Sequence, residues 1–214
     1  MPFSTLFFDL DETLYPPQTG LWGEIRARIN LYMHDRLGFS WEEIDATREK
    51  YFAEYGTTLR GLQAHHQVDM DEYLAFVHDV PLDRFIAPDP ELRAALTSIP
   101  IRKYIFTNAD TAHADRVVKR LGLEGLFAGT IDVHTIAPYC KPMPGSFELA
   151  LKAAGGPDPA GCLLLDDQAR ITRAAALLGM HTVLVGAQAA GSDADTALPR
   201  LAGLPALLKA FPGT

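Results

Sequence analysis

The sequence is poor in the features that would place it in several large classes of protein. Only two of its 214 residues are cysteine, Cys140 and Cys162, and they do not have metal-ligand spacing. Two cysteines cannot staple a chain of this size, so a disulfide scaffold is excluded and two reduced thiols are expected. No apolar run approaches the ~18–20 residues that cross a bilayer. Met1-Pro2 leads directly into a strand-like segment without a basic leader. A cytoplasmic protein with no membrane partner is the expectation. Positive charge is also scarce: 19 lysines and arginines stand against 27 acids, the formal net charge is −8, and no basic block occurs. Nucleic acid backbones are held by clustered cations, so a nucleic acid polymer is excluded as a partner. A small anion remains open as a substrate if a metal or a few placed cations meet its charge. No internal repeat is visible.

The chain is 48% hydrophobic and 21% charged, ordinary for a globular protein with room for a core domain and a modest insertion. Near its start, Leu6-Phe7-Phe8 is a run of strand formers that stops at Asp9, with Asp11 two residues later. Carboxylates at i and i+2 across a strand end can share a hard cation, or divide the roles of nucleophile and proton carrier. Taken alone, such a pair reads equally well as an Asp-rich turn.

Residues 15–86 contain no convincing strand. Ile25, Ile29, Tyr32, Met33 and Leu37 recur at helical spacing, which predicts a helix over 21–37 stopped by Gly38. Ser40-Trp41-Glu42-Glu43 has the form of a capping box and opens a helix to about residue 55. Shorter helices are predicted over 57–66 and 70–80, the latter closed by Pro81. After Asp89-Pro90, an N-cap followed by proline at the first helical position, the rhythm alternates. Strands are predicted over 101–106, 130–133, 162–165 and 181–185, and helices over 111–121, 144–154 and 170–178. Residues 187–197 read as a flexible loop, and 198–208 as a last short helix or strand. Such alternation implies right-handed crossovers and a parallel sheet, so the fold class is α/β with a helical insertion after the first strand.

In parallel sheets ligands bind at the carboxyl ends of the strands. The first strand ends with Asp9 and Asp11, the second with Thr107 and Asn108, and the strand at 162–165 with Asp166 and Asp167. The loop after 130–133 delivers Lys141. Four carboxylates, a hydroxyl and an ammonium are thus expected on one rim. Acids so crowded raise each other's pKa unless a counter-charge is present, and Lys141 with a magnesium ion would supply it. The chemistry that suits this set is phosphoryl transfer.

These segments, Asp9-Leu10-Asp11-Glu12-Thr13, Thr107-Asn108, Lys141-Pro142 and Asp166-Asp167, resemble the four ordered motifs of the haloacid dehalogenase-like hydrolase superfamily. The resemblance implies a Rossmann-like core, residues 1–14 and 87–214, with an inserted α-helical cap over 15–86. It implies Asp9 as the nucleophile that forms an aspartyl-phosphate, and Asp11 as general acid and then base. Thr107 and the Asn108 backbone amide would hold the phosphoryl group, and Lys141 would balance charge. Asp9, the Asp11 carbonyl, Asp166 and Asp167 would hold Mg2+.

A narrower resemblance, to pyrimidine 5′-nucleotidases, rests on Asp9-Leu10-Asp11-Glu12-Thr13-Leu14-Tyr15-Pro16 with Gly20-Leu21-Trp22, on Tyr55-Gly56-Thr57-Thr58-Leu59-Arg60-Gly61-Leu62 and His65-His66, and on Phe106-Thr107-Asn108-Ala109 with His113-Ala114. It implies a nucleoside 5′-monophosphate such as UMP or CMP as the phosphate monoester, with Arg60, Tyr15, Asn108 and Ala109 at the substrate. Another small phosphate ester is the alternative. His113, Cys140, His65 and His66 read as structural or surface residues, and Trp22 and Tyr55 as packing within the cap. An exposed apolar stripe on a cap helix would suit a homodimer.

The chain departs from the superfamily pattern after its acidic pair. Gln168 stands where a serine or threonine is usual, and Ile171 where an asparagine is usual. Those residues normally steady the acidic loop, so a silent ligand-binding relative is one rival reading. A dehalogenase is another, although halide displacement needs no second acid at Asp11. Phospho-accepting receiver modules have the acidic pair first and no helical insertion.

Overall fold

Thr5–Phe8 (β1) is buried at every position, and so is Cys162–Asp166 (β4), as strands covered on both faces must be. The computed structural model describes residues 3–186 and 196–211. Among the described residues a six-stranded sheet runs in the order β3-β2-β1-β4-β5-β6, with β2 at Arg102–Phe106, β3 at Gly129–Ile131, β5 at His181–Val185 and β6 at Thr196–Leu198. Every pairing is parallel. β1 is central: Phe8 pairs with Ile105 on one side and Leu165 on the other. The strand order reverses between β1 and β4, and the carboxyl ends at that switch point are where such sheets bind ligands. The fold is the expected Rossmann-like α/β fold.

The chain divides into two compact units, Met1–Pro16 with Ile86–Thr214, and Pro17–Phe85. The second unit is helical throughout its regular structure, with α1 at Leu21–Leu37, α2 at Trp41–Tyr55, α3 at Thr58–His66 and α4 at Met70–Val77. Gly38 ends α1 in the left-handed region, φ 74°, where only glycine is unstrained. The Glu43 carboxylate accepts from the Ser40 amide at 3.1 Å and its hydroxyl at 2.7 Å, so the capping residues do fix the start of α2. Gly61 lets α3 approach α2, since a Cβ there would lie 2.2 Å from the Tyr51 ring. Tyr51 and Tyr55 meet His66 and His65 at 3.0 and 2.8 Å. α4 stops three residues short of the expected end, because after His78 the Asp79 amide bonds to the Phe76 carbonyl and the Val80 amide to the His78 carbonyl, tight turns that leave the helical ladder before Pro81.

The core unit carries α5 (Pro90–Thr97), α6 (Thr111–Leu121), α7 (Pro144–Ala153), α8 (Ala169–Leu177) and α9 (Leu204–Ala210). Its apolar centre joins Phe7, Phe106, Phe147, Ile136, Leu164 and Ile171. Cys140 and Cys162 are both free and buried. β3 is shorter than 130–133. β6 corrects part of the expected loop: Thr196 pairs with Val183, and a three-residue edge strand leaves no alternation to read. The remainder of that expected loop, 187–195, lies outside the described residues. No helix among the described residues is long and apolar enough to cross a membrane.

Candidate active site

The carboxyl end of β1 builds the site. The Asp9 amide still bonds to the Leu165 carbonyl at 2.9 Å, so Asp9 is fixed as an extension of the strand. The chain then turns, with Glu12 at φ 62° and the Leu14 amide on the Leu10 carbonyl at 2.9 Å. This turn returns Thr13 to the strand end. Its hydroxyl lies 3.1 Å from Asp9 Oδ2 and 3.3 Å from Asp167 Oδ1, and accepts from the Asp167 amide at 3.1 Å. One hydroxyl has one proton, so it donates to one of the two carboxylates at a time.

Lys141 is almost fully enclosed, and the three N–H donors of its ammonium meet three acceptor oxygens. Nζ donates to Asp9 Oδ1 at 2.6 Å, Asp166 Oδ2 at 2.8 Å and the Phe106 carbonyl at 2.8 Å. Its backbone is held as firmly. The Asn108 carboxamide accepts from the Lys141 amide at 2.8 Å and donates to the Lys141 carbonyl at 3.1 Å. The side chain of Asn108 therefore clamps the lysine loop to the end of β2. Thr107, buried beside it, accepts from the Ala109 amide at 3.0 Å, and the Ala109 carbonyl accepts from Val133 at 3.0 Å. Both backbone groups of Ala109, a residue expected at the substrate, are engaged inside the protein.

Charge is not balanced by Lys141 alone. Oxygens of Asp9, Asp166 and Asp167 lie within 4.8 Å of one another. Burial pushes the Asp9 carboxyl up to about 7; Lys141 pulls it back and Asp166 pushes it further. Burial, then Asp9 and Asp166, push Asp167 up to about 8. Burial opposes the charge on Lys141, but Asp166 and Asp9 outweigh it and hold the ammonium above its ordinary pKa. Three carboxylates around one ammonium, all hard oxygen donors, fit a divalent cation such as magnesium.

Asp11 has different neighbours. Its Oδ1 accepts from the Tyr15 hydroxyl at 2.6 Å and from His113 Nε2 at 3.0 Å. Tyr15, another residue expected at the substrate, is buried on Asp11. Burial and the Asp11 charge raise its phenol well above the ordinary range. His113, read from the sequence as structural, touches the site directly. A signal existed: it lies in the first turn of a helix that starts at a strand end, and helical side chains lean toward the helix N-terminus. Arg60 belongs to the helical unit, where its Nη1 donates to Gln63 at 2.8 Å.

A family model described as haloacid dehalogenase-like hydrolase matches residues 3–179. The chain belongs to the haloacid dehalogenase-like hydrolases. Phosphate metabolism protein 8 of Saccharomyces cerevisiae is 33% identical over 192 residues, 83% of this chain, and the chain spans about 60% of that relative's length. Among solved structures, CbbY from Rhodobacter sphaeroides in complex with xylulose-1,5-bisphosphate matches with a TM-score of 0.67 at 17% identity, covering 94% of this chain and 96% of the other. L-2-haloacid dehalogenase from Xanthobacter autotrophicus with chloropropionic acid covalently bound matches at 0.64 and 16%, covering 98% and 100%. One such relative holds a sugar bisphosphate and the other a haloacid, so membership in the hydrolase family leaves the reaction to the residues of the site.

In this haloacid dehalogenase-like chain the unusual residues after Asp167 have other work. Ile171 is packed into the apolar centre at 1% exposure. The Gln168 amide donates to Asp166 Oδ1 at 2.9 Å, and Thr13 holds Asp167 from across the site. The acidic loop is steadied by backbone and by Thr13.

Proposed function

We propose that this hydrolase is a magnesium-dependent phosphomonoesterase that works through an aspartyl-phosphate, with nucleoside 5′-monophosphates, pyrimidine ones first, as its substrates. The observation that carries this reading is the bridging of Asp9 and Asp166 by one buried ammonium inside a cluster of three carboxylates. Such a site is short of positive charge and suits a dianionic phosphoryl group that arrives with a metal. Asp9, Asp166 and Asp167, with the Asp11 carbonyl, would hold the magnesium ion, which when bound supplies charge neutralisation at the phosphoryl oxygens.

The protein's own groups do the rest. A carboxylate oxygen of Asp9 attacks phosphorus while Lys141 favours the ionised form of that carboxyl and orients it. Thr107 and the Asn108 amide hydrogen-bond the phosphoryl oxygens. Asp11 protonates the departing alcohol, then takes a proton from the water that hydrolyses the acyl phosphate. A dehalogenase has no use for the second acid, and two buried donors hold Asp11 here. The helical unit acts as a cap that selects the leaving group, with Arg60 as its reader. The name of the yeast relative, Phosphate metabolism protein 8, is consistent with a phosphate ester.

The test is hydrolysis of a panel of phosphate esters with magnesium, with EDTA, and in Asp9→Asn. Turnover is expected to vanish in the last two. Turnover that survives either change sinks the mechanism, and UMP and CMP no better than glycerol or sugar phosphates sink the nucleotide assignment.

A further inference from the structure

Asp11 is met at a single oxygen by two donors that reach it from different elements. Tyr15 ends the turn that follows β1, four residues after Asp11, and its hydroxyl is 2.6 Å from Oδ1. His113 comes from the first turn of α6 and places Nε2 at 3.0 Å from the same atom. Both side chains are buried, at 2% and 1% exposure. His113 is itself fixed, because its amide donates at 2.6 Å to Asp110, the cap of its helix.

We infer that His113 and Tyr15 are positioning residues that hold the Asp11 carboxyl in one orientation through Oδ1. The inference rests on the phosphomonoesterase reading above. A short side chain has three χ1 wells, and two anchored donors select one of them. Proton delivery needs a reach of about 2.6–3.2 Å, so selecting the well matters. As the bond from phosphorus to the ester oxygen breaks, its electron pair stays on that oxygen, which takes the proton from the Asp11 carboxyl. Asp11 is left as a carboxylate whose charge the same two donors stabilise. In the second half-reaction it recovers a proton from the attacking water.

A need for a well-placed acid grows with the basicity of the leaving group. p-Nitrophenolate leaves without a proton, whereas the alkoxide of a nucleoside or another alcohol does not. Loss of positioning therefore has a signature that loss of packing lacks. The experiment compares kcat and KM for UMP and p-nitrophenyl phosphate, with magnesium, in wild type, His113→Leu, His113→Gln and Tyr15→Phe. The ratio of kcat for UMP to kcat for p-nitrophenyl phosphate is expected to fall about tenfold to a hundredfold in His113→Leu, within the span that general acids contribute. KM for UMP should move about twofold or less, because the lost interaction belongs to the transition state. His113→Gln, which can present an N–H, should recover part of the ratio, and Tyr15→Phe should lower it without disturbing packing. In an Asp11→Asn background, His113→Leu should leave the ratio where it is. A ratio unchanged in both His113→Leu and Tyr15→Phe overturns the inference, as does a further fall in the Asp11→Asn background. A wild-type protein that hydrolyses neither ester overturns the phosphomonoesterase reading itself, which keeps the two failures apart.

Discussion

Replacing Lys141 with methionine, nearly its equal in length, removes the ammonium and leaves the volume. The structure sets the size of the effect. Nζ makes three hydrogen bonds, two of them to carboxylates, from a position at 1% exposure. Removing one partner of a buried ion pair costs about 3–5 kcal/mol, because the other charge stays buried without compensation. At roughly 2–4 °C per kcal/mol for a chain of this length, the melting temperature should fall by about 6–20 °C. The loss should depend on pH. Asp9 and Asp167 already have pKa values raised to about 7 and 8 with Lys141 present, and both go higher without it. A carboxyl with a raised folded pKa binds more protons folded than unfolded, so stability is greatest below the unfolded value of 3.8 and is lost as pH rises toward the folded value. The deficit of Lys141→Met should be small near pH ~5 and grow as pH rises through about 7 and 8, where the wild-type carboxyls ionise beside the ammonium and those of the variant stay protonated. Millimolar magnesium should restore part of it at the higher pH, since a dication enters among the same oxygens. Thermal melts across pH, with and without magnesium, provide the assay. An equal loss at both pH values, unaffected by magnesium, would refute the reasoning.

Four further outcomes can be measured. Magnesium binding should release protons from Asp9 and Asp167 below their raised pKa values, so affinity should weaken about tenfold per pH unit for each proton displaced; calorimetry in two buffers of different ionisation enthalpy reads this directly. Thr13→Val removes the hydroxyl shared by Asp9 and Asp167 and should cost about 1–3 kcal/mol in a denaturant melt while weakening magnesium binding. Ile171→Asn puts back the residue usual in the superfamily, yet it should destabilise by about 2–4 kcal/mol without raising kcat, because the position faces the apolar centre. Arg60→Ala should lower kcat/KM for UMP more than for p-nitrophenyl phosphate; equal losses would assign Arg60 to the phosphate instead.

The sheet was legible because its evidence is local. Leu6-Phe7-Phe8 and Cys162-Leu163-Leu164-Leu165 are apolar runs of strand length, each closed by acids, and alternation with capped helices orders them in a parallel sheet. The gathering of Asp9, Lys141, Asp166 and Asp167 could be read for the same reason, since a strand end is a position in sequence as well as in space. β6 could not, because a three-residue edge strand is defined by its partner β5 and not by its own pattern.

What escaped notice at the site shares that property. The place of His113 in the first turn of a helix that starts at a strand end is a weak signal by itself; its meaning comes from Asp11, 102 positions earlier. Thr13 likewise acquires its second role only from Asp167, 154 positions away, through a turn that needs Glu12 in the left-handed region. The family resemblance implies a phosphoryl-binding amide at Asn108, whereas the clamp that its carboxamide makes on the Lys141 backbone appears only in the fold. Each of these residues holds a charged group in place from outside the acidic cluster. A buried set of like charges has several arrangements of similar energy, and only fixed dipoles and hydroxyls around it select one. The acids and the lysine therefore mark the candidate site in the sequence, while the residues that hold them in one geometry become visible only when the chain is folded.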